Sequence, residues 1–227
     1  MEITPIARYH GPLTAKFGIP RQSGLAESLD GRIVFEPAFR NPDALRGLGG
    51  ADGFDRIWLI WGFSEVPEDK PWQPTVRPPR LGGNTRMGVF ATRSPFRPNR
   101  LGLSCVRVCS IAPDGSVIRV CGADLMDGTP IYDIKPYLVY ADSFPEASTG
   151  FAAGAPEPGL KVQLAEGLTS PLSPADSAAL FEILALDPRP AFQDEPGKRY
   201  GLDFGGYDIG FTMSGDTLTI ESFSKKI

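Results

Sequence analysis

From Leu101 to Leu125 the chain reads LGLSCVRVCSIAPDGSVIRVCGADL. Two β-patterned runs flank Pro113-Asp114-Gly115, a strong turn tripeptide, and the pattern predicts a long antiparallel hairpin. Similar short runs lie on either side. EITPIARY and GRIVFEP precede it, the second ended by Pro37. RIWLIWGF, from Arg56 to Phe63, is nearly all apolar and reads as a strand buried on both faces. RMGVFATR follows a glycine-rich turn and TPIYDIKPYL closes the set, each expected as a further strand. Many short strands with few helical windows predict a mainly β fold, a single-sheet β-barrel over residues 1–145.

A composition shift follows. PEASTGFAAGAPEPG is rich in Ala, Gly and Pro, and residues 146–159 are expected to form a linker or arm. Residues 160–227 then read as a small α+β domain. Ser173 is the expected N-cap of a helix, with Pro174 at its first position, Asp176 in its first turn and Pro188 beyond its end. Leu180, Phe181, Ile183 and Leu184 supply its apolar face, and YDIGFTMSGDTLTIESF reads as a hairpin about Ser214-Gly215-Asp216.

Several function classes fall away. No apolar run approaches the roughly 20 residues that span a bilayer, and the N-terminus lacks the basic-then-apolar order of a secretory signal. A cytoplasmic protein is expected. Cys105, Cys109 and Cys121, an odd number, are expected as free thiols and small buried hydrophobes. A Cys3His metal site with His10, the single histidine, would lack the short Cys-x2-Cys spacing, so no metal is expected. One histidine also makes histidine-dependent hydrolysis a poor reading. There is no Gly-x-Gly-x-x-Gly after a strand and no P-loop, which excludes a Rossmann nucleotide site.

The charge distribution points elsewhere. The formal net charge is -4, yet the stretch from Val76 to Val108 holds seven arginines and no Asp, Glu or Lys. Arginine is the side chain for bidentate contact with phosphate and carboxylate and for stacking on bases. The interleaved Gly and Pro place it on loops, where sites collect. A local basic surface on an acidic protein is consistent with a nucleic-acid partner. Downstream, GADLMDGTPIYDIKPYL brings Asp124, Asp127 and Asp133 close to Lys135 and Tyr137. In an extended strand Asp133 and Lys135 share a face, which suits a polar site or an ion pair equally.

PRLGGNTRMGVFATRSPFRPNRLGLS and DLMDGTPIYDIKPYL strongly resemble the TsaA-like family, also called the YaeB or TrmO family; FGIPRQSGL, WQPTVRPPR and LDPRPAF match its patterns too. The resemblance covers nearly the whole chain. It implies a homodimeric β-barrel that binds S-adenosyl-L-methionine without a Rossmann domain. It also implies transfer of its methyl group to N6 of N6-threonylcarbamoyladenosine beside the tRNA anticodon. Carried over residue by residue, the cofactor contacts would be Pro20, Arg21 and Gln22, then Ser64 and Glu65, then Arg93 and Leu103, then Asp124, Leu125, Met126 and Asp127. The buried strand ends WGFSEV where relatives often have His-Gln, so Ser64-Glu65 replaces that pair.

The threonyl carboxylate of such a substrate calls for a cationic clamp, for which Arg97 and Lys135 are the candidates. Asn99 and Tyr137 could bond to or stack on the splayed base, Asp133 could hold Lys135, and Arg189 is expected as a substrate-loop contact. No general base is assigned, and His10 is expected as a structural or exposed histidine. Two other readings stay open: a non-catalytic RNA- or nucleotide-binding barrel, favoured by Ser64-Glu65, and a methyltransferase acting on another small substrate.

Overall fold

The computed structural model describes residues 2–67, 69–152, 154, 159–189 and 197–226. In chain order its first strands are β1 (Ala7–His10), β2 (Asp30–Phe35), β3 (Arg56–Gly62), the two-residue β4 (Thr75–Val76) and β5 (Met87–Gly88), β6 (Leu101–Ile111), β7 (Val117–Cys121) and β8 (Pro130–Pro136). A short helix, α1 (Val139–Asp142), follows. Six strands form one sheet in the order β1-β2-β7-β6-β3-β8, and β8 pairs back onto β1 with Ala7 opposite Ile131, so the sheet closes.

Strand alternation decides what fills it. Tyr9, Ile33, Ile57, Leu59, Val106, Ile118, Val120 and Ile131 point inward and are buried. Trp58 and Ile60 of β3 face outward, and a register irregularity in β8 opposite Ile60 and Trp61 turns Asp133 and Lys135 to that same outer face, opposite Ile60 and Trp58. The interior is closely filled: a Cβ at Gly31 would lie 2.3 Å from the Tyr9 hydroxyl. The β6–β7 hairpin turns at Gly115, whose φ of 70° and whose contact with Pro42 both exclude a side chain.

Two expectations are corrected. RMGVFATR is not a strand of the closed sheet. Met87 and Gly88 pair only with Thr75 and Val76, and Val89–Ala91 turns into a 3-10 helix. Cys109 and Cys121 are not free: they are joined as a disulfide with a Cα–Cα separation of 6.3 Å, and Cys105 alone is a thiol. A bulge between Val108 and Ser110 adds Cys109 as an extra residue on β6, beside Cys121 on β7.

The second half builds its own sheet from β9 (Lys161–Leu164), β10 (Tyr200–Phe204), β11 (Tyr207–Ser214) and β12 (Thr217–Lys225), in the order β10-β11-β12-β9. β9 runs parallel to β12, a pairing that no local pattern announces. Helix α2 (Pro174–Ala185) packs Ala179, Leu180, Ile183 and Leu184 onto the sheet. Its start follows the expected chemistry, with the Ser173 side chain accepting from the Asp176 N–H at 3.1 Å. Part of the arm expected at 146–159 lies outside the described residues.

This second core is not made from the C-terminal segment alone. The connection from β1 to β2 leaves the closed sheet and buries Leu13, Ala26 and Leu29 in it, with Phe17 and Ile19 packed alongside. Phe17 stacks on Phe211 at 6.4 Å. Glu182 of α2 grips the same connection, accepting from the Ser28 N–H at 2.9 Å and the Ser28 hydroxyl at 2.6 Å. Pro20-Arg21-Gln22 is thus the tip of a loop with both arms pinned to the far core. Replacing Glu182 by Ala leaves a part-buried N–H without its charged acceptor. The expected loss is about 1–3 kcal/mol, read as a lower denaturant midpoint at unchanged slope; Glu182→Gln, which keeps an acceptor, should lose less.

Candidate active site

At the end of β3 the closed sheet opens into a cavity of about 350 Å³. Trp61, Phe63 and Phe96 give it aromatic walls, Ser64 and Glu65 form one lip, and Asp124, Leu125 and Met126 form the other side. Trp61 is fixed from two directions. Its Nε1 donates to the buried Ser104 hydroxyl at 2.9 Å, and its ring meets Phe63 edge-on at 4.4 Å. The ring lies across Gly102 on the neighbouring strand, where a Cβ would come within 2.3 Å of it. Glycine at that position is what lets the indole form the cavity wall.

Loops complete the rim. Lys16 donates to the Glu65 carbonyl at 2.6 Å, linking the β1–β2 loop to the end of β3. Arg100, with φ of 50°, donates to the Val66 carbonyl at 3.1 Å and the Lys70 carbonyl at 2.7 Å, which ties these two lining residues to the start of β6. Arg93 donates to the Gln22 side-chain oxygen, so the arginine-rich segment and the Pro20-Arg21-Gln22 turn meet.

The chemically distinctive atom is Asp124 Oδ1. It is buried and has no hydrogen-bond partner among the described residues. Burial pushes the Asp124 carboxyl above the ordinary carboxylate range. The Ser104 hydroxyl, nearby backbone N–H groups and the Arg93 guanidinium offset this only in part. An acceptor left unpaired in a cavity wall is costly for the folded protein alone. It is suited to a ligand that brings a donor or a positive charge.

The comparisons with known proteins agree with this architecture. Residues 8–143 match the tRNA-methyltransferase O N-terminal domain, and residues 159–226 match the TrmO C-terminal domain. The chain belongs to the tRNA-methyltransferase O family. Its relatives include a tRNA (adenine(37)-N6)-methyltransferase of Escherichia coli (strain K12), 41% identical over 89% of each chain. A Pseudomonas aeruginosa protein named as a putative S-adenosylmethionine-dependent methyltransferase, RcsF, is 40% identical over 91% of this chain and 90% of its own. A crystal structure of TrmO from Pseudomonas aeruginosa superposes with a TM-score of 0.77 at 29% identity, covering 99% of this chain and 98% of that one. The resemblance drawn from the arginine-rich and Asp-rich motifs therefore holds.

Against this family background the residues singled out from the sequence fall into groups. Ser64, Glu65, Asp124, Leu125 and Met126 line the cavity, and Gln22 and Arg93 meet beside it. Pro20 and Arg21 face a second cavity of about 370 Å³ between the loop and α2. Asp127 is engaged elsewhere. Its Oδ1 lies 3.1 Å from His10 Nδ1 and accepts from the Gly11 N–H at 3.2 Å, which ties the Asp-rich turn to the end of β1. Leu103 does not face the cavity: it is 52% exposed on the outer side of β6, and Ser104 is the residue pointing in.

The substrate candidates divide similarly. Arg97 stands at the rim with its guanidinium held by the Thr92 carbonyl at 2.7 Å and the Val89 carbonyl at 3.2 Å. Asn99 is exposed on the loop before β6. Lys135 pairs with Asp133 at 3.2 Å on the outer face, and Tyr137 packs on Trp58 nearby, away from the cavity of the same chain. Arg189 is turned inward. Its side chain is only 12% exposed, makes a two-point contact with Asp187 at 2.8 Å, and lies over the Tyr200 ring. Pro190, Ala191 and Phe192 of the same motif lie outside the described residues. Trp61, Phe63, Phe96, Ser104 and Lys16 were not singled out from sequence; each reads there as an ordinary strand or loop residue. No group of three or more His, Cys, Asp or Glu side chains suited to a metal occurs among the described residues.

Asp124 gives a pH test. Its carboxyl is held above the usual range in the fold, so its ionisation weighs against folding. The stability it permits is full below the unfolded value of about 4 and declines as pH rises through the folded value. Asp124→Asn should therefore gain stability relative to the unsubstituted protein as pH rises above about 4. Thermal unfolding across that range reads the difference; a constant offset would mean that the carboxyl titrates normally.

Proposed function

We propose that this protein transfers the methyl group of S-adenosyl-L-methionine to N6 of adenosine 37 of tRNA, with the threonylcarbamoylated nucleoside as its substrate. The observation that carries the reading is the aromatic cavity with an unpaired buried acceptor, Asp124 Oδ1, beside an arginine-only surface. The names of the relatives support it, since two that match across most of their own length, from Escherichia coli and Eikenella corrodens, are tRNA (adenine(37)-N6)-methyltransferases.

The cavity fits such a cofactor. Its volume lies in the ordinary range for small-molecule sites. Asp124 and Glu65 offer negative charge, one to a donor and one to a cationic group, while Trp61, Phe63 and Phe96 offer apolar and stacking surface. Glu65 supplies with a carboxylate what a neutral side chain would not. The cofactor brings a methyl group activated on a positively charged sulfur. The chain contributes placement: an acceptor nitrogen held at about 3–3.5 Å from its target gains most of its rate from orientation. Narrowing the mouth with Lys16 and Arg100, which bond to Glu65, Val66 and Lys70, excludes water that would compete. The closed sheet thus serves as a methyltransferase barrel that needs no Rossmann crossover.

Recognition of the threonyl carboxylate is assigned to Arg97, with Asn99 beside it. The Asp133–Lys135 pair and Tyr137 stand on the outer face, so their part in substrate binding requires a second copy of the chain. That face suits one: Leu103 is exposed, and α1, tied to Trp58 through Asp142 at 3.0 Å, carries Tyr140 at 85% exposure. A homodimer through this face, at work in the cytoplasm, is part of the proposal.

Labelled cofactor and two tRNA pools, with and without threonylcarbamoylated adenosine, test the activity. Transfer to the modified pool alone is expected. Cofactor binding with transfer to neither pool would favour a non-catalytic RNA-binding barrel or another acceptor. Glu65→Gln is expected to weaken cofactor binding about tenfold or more, in line with losing a charged partner, measured by calorimetry. Leu103→Asp should move the protein from dimer to monomer in sedimentation, and Lys135→Met should then matter only where the dimer persists.

A further inference from the structure

Trp72 and Phe90 are exposed aromatics that the cavity does not use. They are 49% and 71% exposed, their ring centroids are 6.4 Å apart, and their planes differ by 21°. Large aromatic faces left this open to water are uncommon on a soluble surface and mark contact sites.

The pair is held in place by its surroundings. Phe90 sits on the 3-10 turn anchored by the buried Val89, whose N–H donates to the Pro74 carbonyl at 3.0 Å. The Gln73 N–H donates to the Phe96 carbonyl at 3.1 Å, and Thr75 and Val76 pair with Gly88 and Met87. Both rings therefore ride on one small ribbon. Arg97 completes the arrangement: its guanidinium carbon is 5.8 Å from the Phe90 ring centre, while the carbonyls of Val89 and Thr92 fix its orientation.

Charge selects the partner. Arg77 and Arg86 are exposed on the same segment and pair with no carboxylate among the described residues. The segment has no acid from Val76 to Val108. Flat rings beside unpaired arginines match an unpaired base with its phosphates, since stacking takes the base and the cations take the backbone. A protein partner would leave those arginines uncompensated unless it were strongly acidic. The ribbon adjoins the cavity rim, because Lys70, Pro95 and Phe96 line the cavity while Trp72, Phe90 and Arg97 flank them.

We infer that Trp72 and Phe90 form a stacking platform for an unpaired tRNA loop nucleotide beside the one methylated. The inference rests on the tRNA reading above and adds where the neighbouring base is held. Such a platform steadies a splayed loop without reading its sequence.

Trp72→Leu and Phe90→Leu remove the ring faces and keep apolar bulk. Binding of an anticodon stem-loop RNA is measured by fluorescence anisotropy over a range of salt concentrations, beside cofactor binding, sedimentation and methyl transfer. Each variant is expected to bind the RNA about 5- to 100-fold more weakly. The salt slope should stay unchanged, because the phosphate contacts remain, whereas Arg77→Ala should flatten it. Unchanged RNA affinity in both variants, with wild-type transfer intact, overturns the platform alone. A matching loss of cofactor affinity assigns the rings to the cofactor and overturns it too. A loss confined to self-association assigns them to a second copy, with the same result. If the wild type neither binds the RNA nor transfers to tRNA, the functional reading falls and the platform with it.

Discussion

Everything about the candidate site depends on one act of burial. Leu13, Phe17, Ile19, Ala26 and Leu29 belong in sequence to the first sheet, yet their apolar surface is removed from water by the second core. Burial of such side chains is the main favourable term available to a loop of this length. It opposes the conformational entropy that would otherwise keep a glycine- and serine-containing connection loose. Gln22 meets Arg93, and Lys16 reaches Glu65, only because both arms of that loop are fixed. The second sheet is thus a structural part of the site even where none of its side chains lines the cavity at the end of β3.

The arginine-rich segment resolves into two kinds of residue. Arg97 and Arg100 direct their guanidinium groups at backbone carbonyls and hold loops together, a use that suits a planar, many-donor side chain. Arg77 and Arg86 remain exposed. One composition therefore serves two purposes: the inner arginines build the rim that the outer ones surround with positive charge. The same division explains why lysine would serve poorly at positions 97 and 100, since an ammonium cannot span two carbonyls with fixed geometry.

Local features were legible in the sequence. The Pro113-Asp114-Gly115 turn, the Ser173 cap of α2 and the hairpin about Gly215 are each specified by residues within a few positions, and the structure has them where they were expected. What depends on distant chain was not legible. The parallel pairing of β9 with β12, the bulge that brings Cys109 to Cys121, and the transfer of the β1–β2 loop into the second core have no local signature. RMGVFATR carries a strand-like composition, but its ends are held by a two-residue ribbon and a 3-10 turn. Within the site, the motifs pointed to Glu65 and Asp124, whereas Ser104 was hidden because its inward direction follows from the register of β6 against β3. The same register turns Leu103 outward.

The shared core also bears on how the chain comes to be folded during synthesis. β8 closes the first sheet using residues made long before β11 and β12, which complete the second core. A nascent chain can therefore form a closed sheet while the loop bearing Pro20, Arg21 and Gln22 still has its apolar arms in water. The site gains its shape only when the last strands arrive, so the order of translation makes the binding loop among the last parts of the molecule to settle.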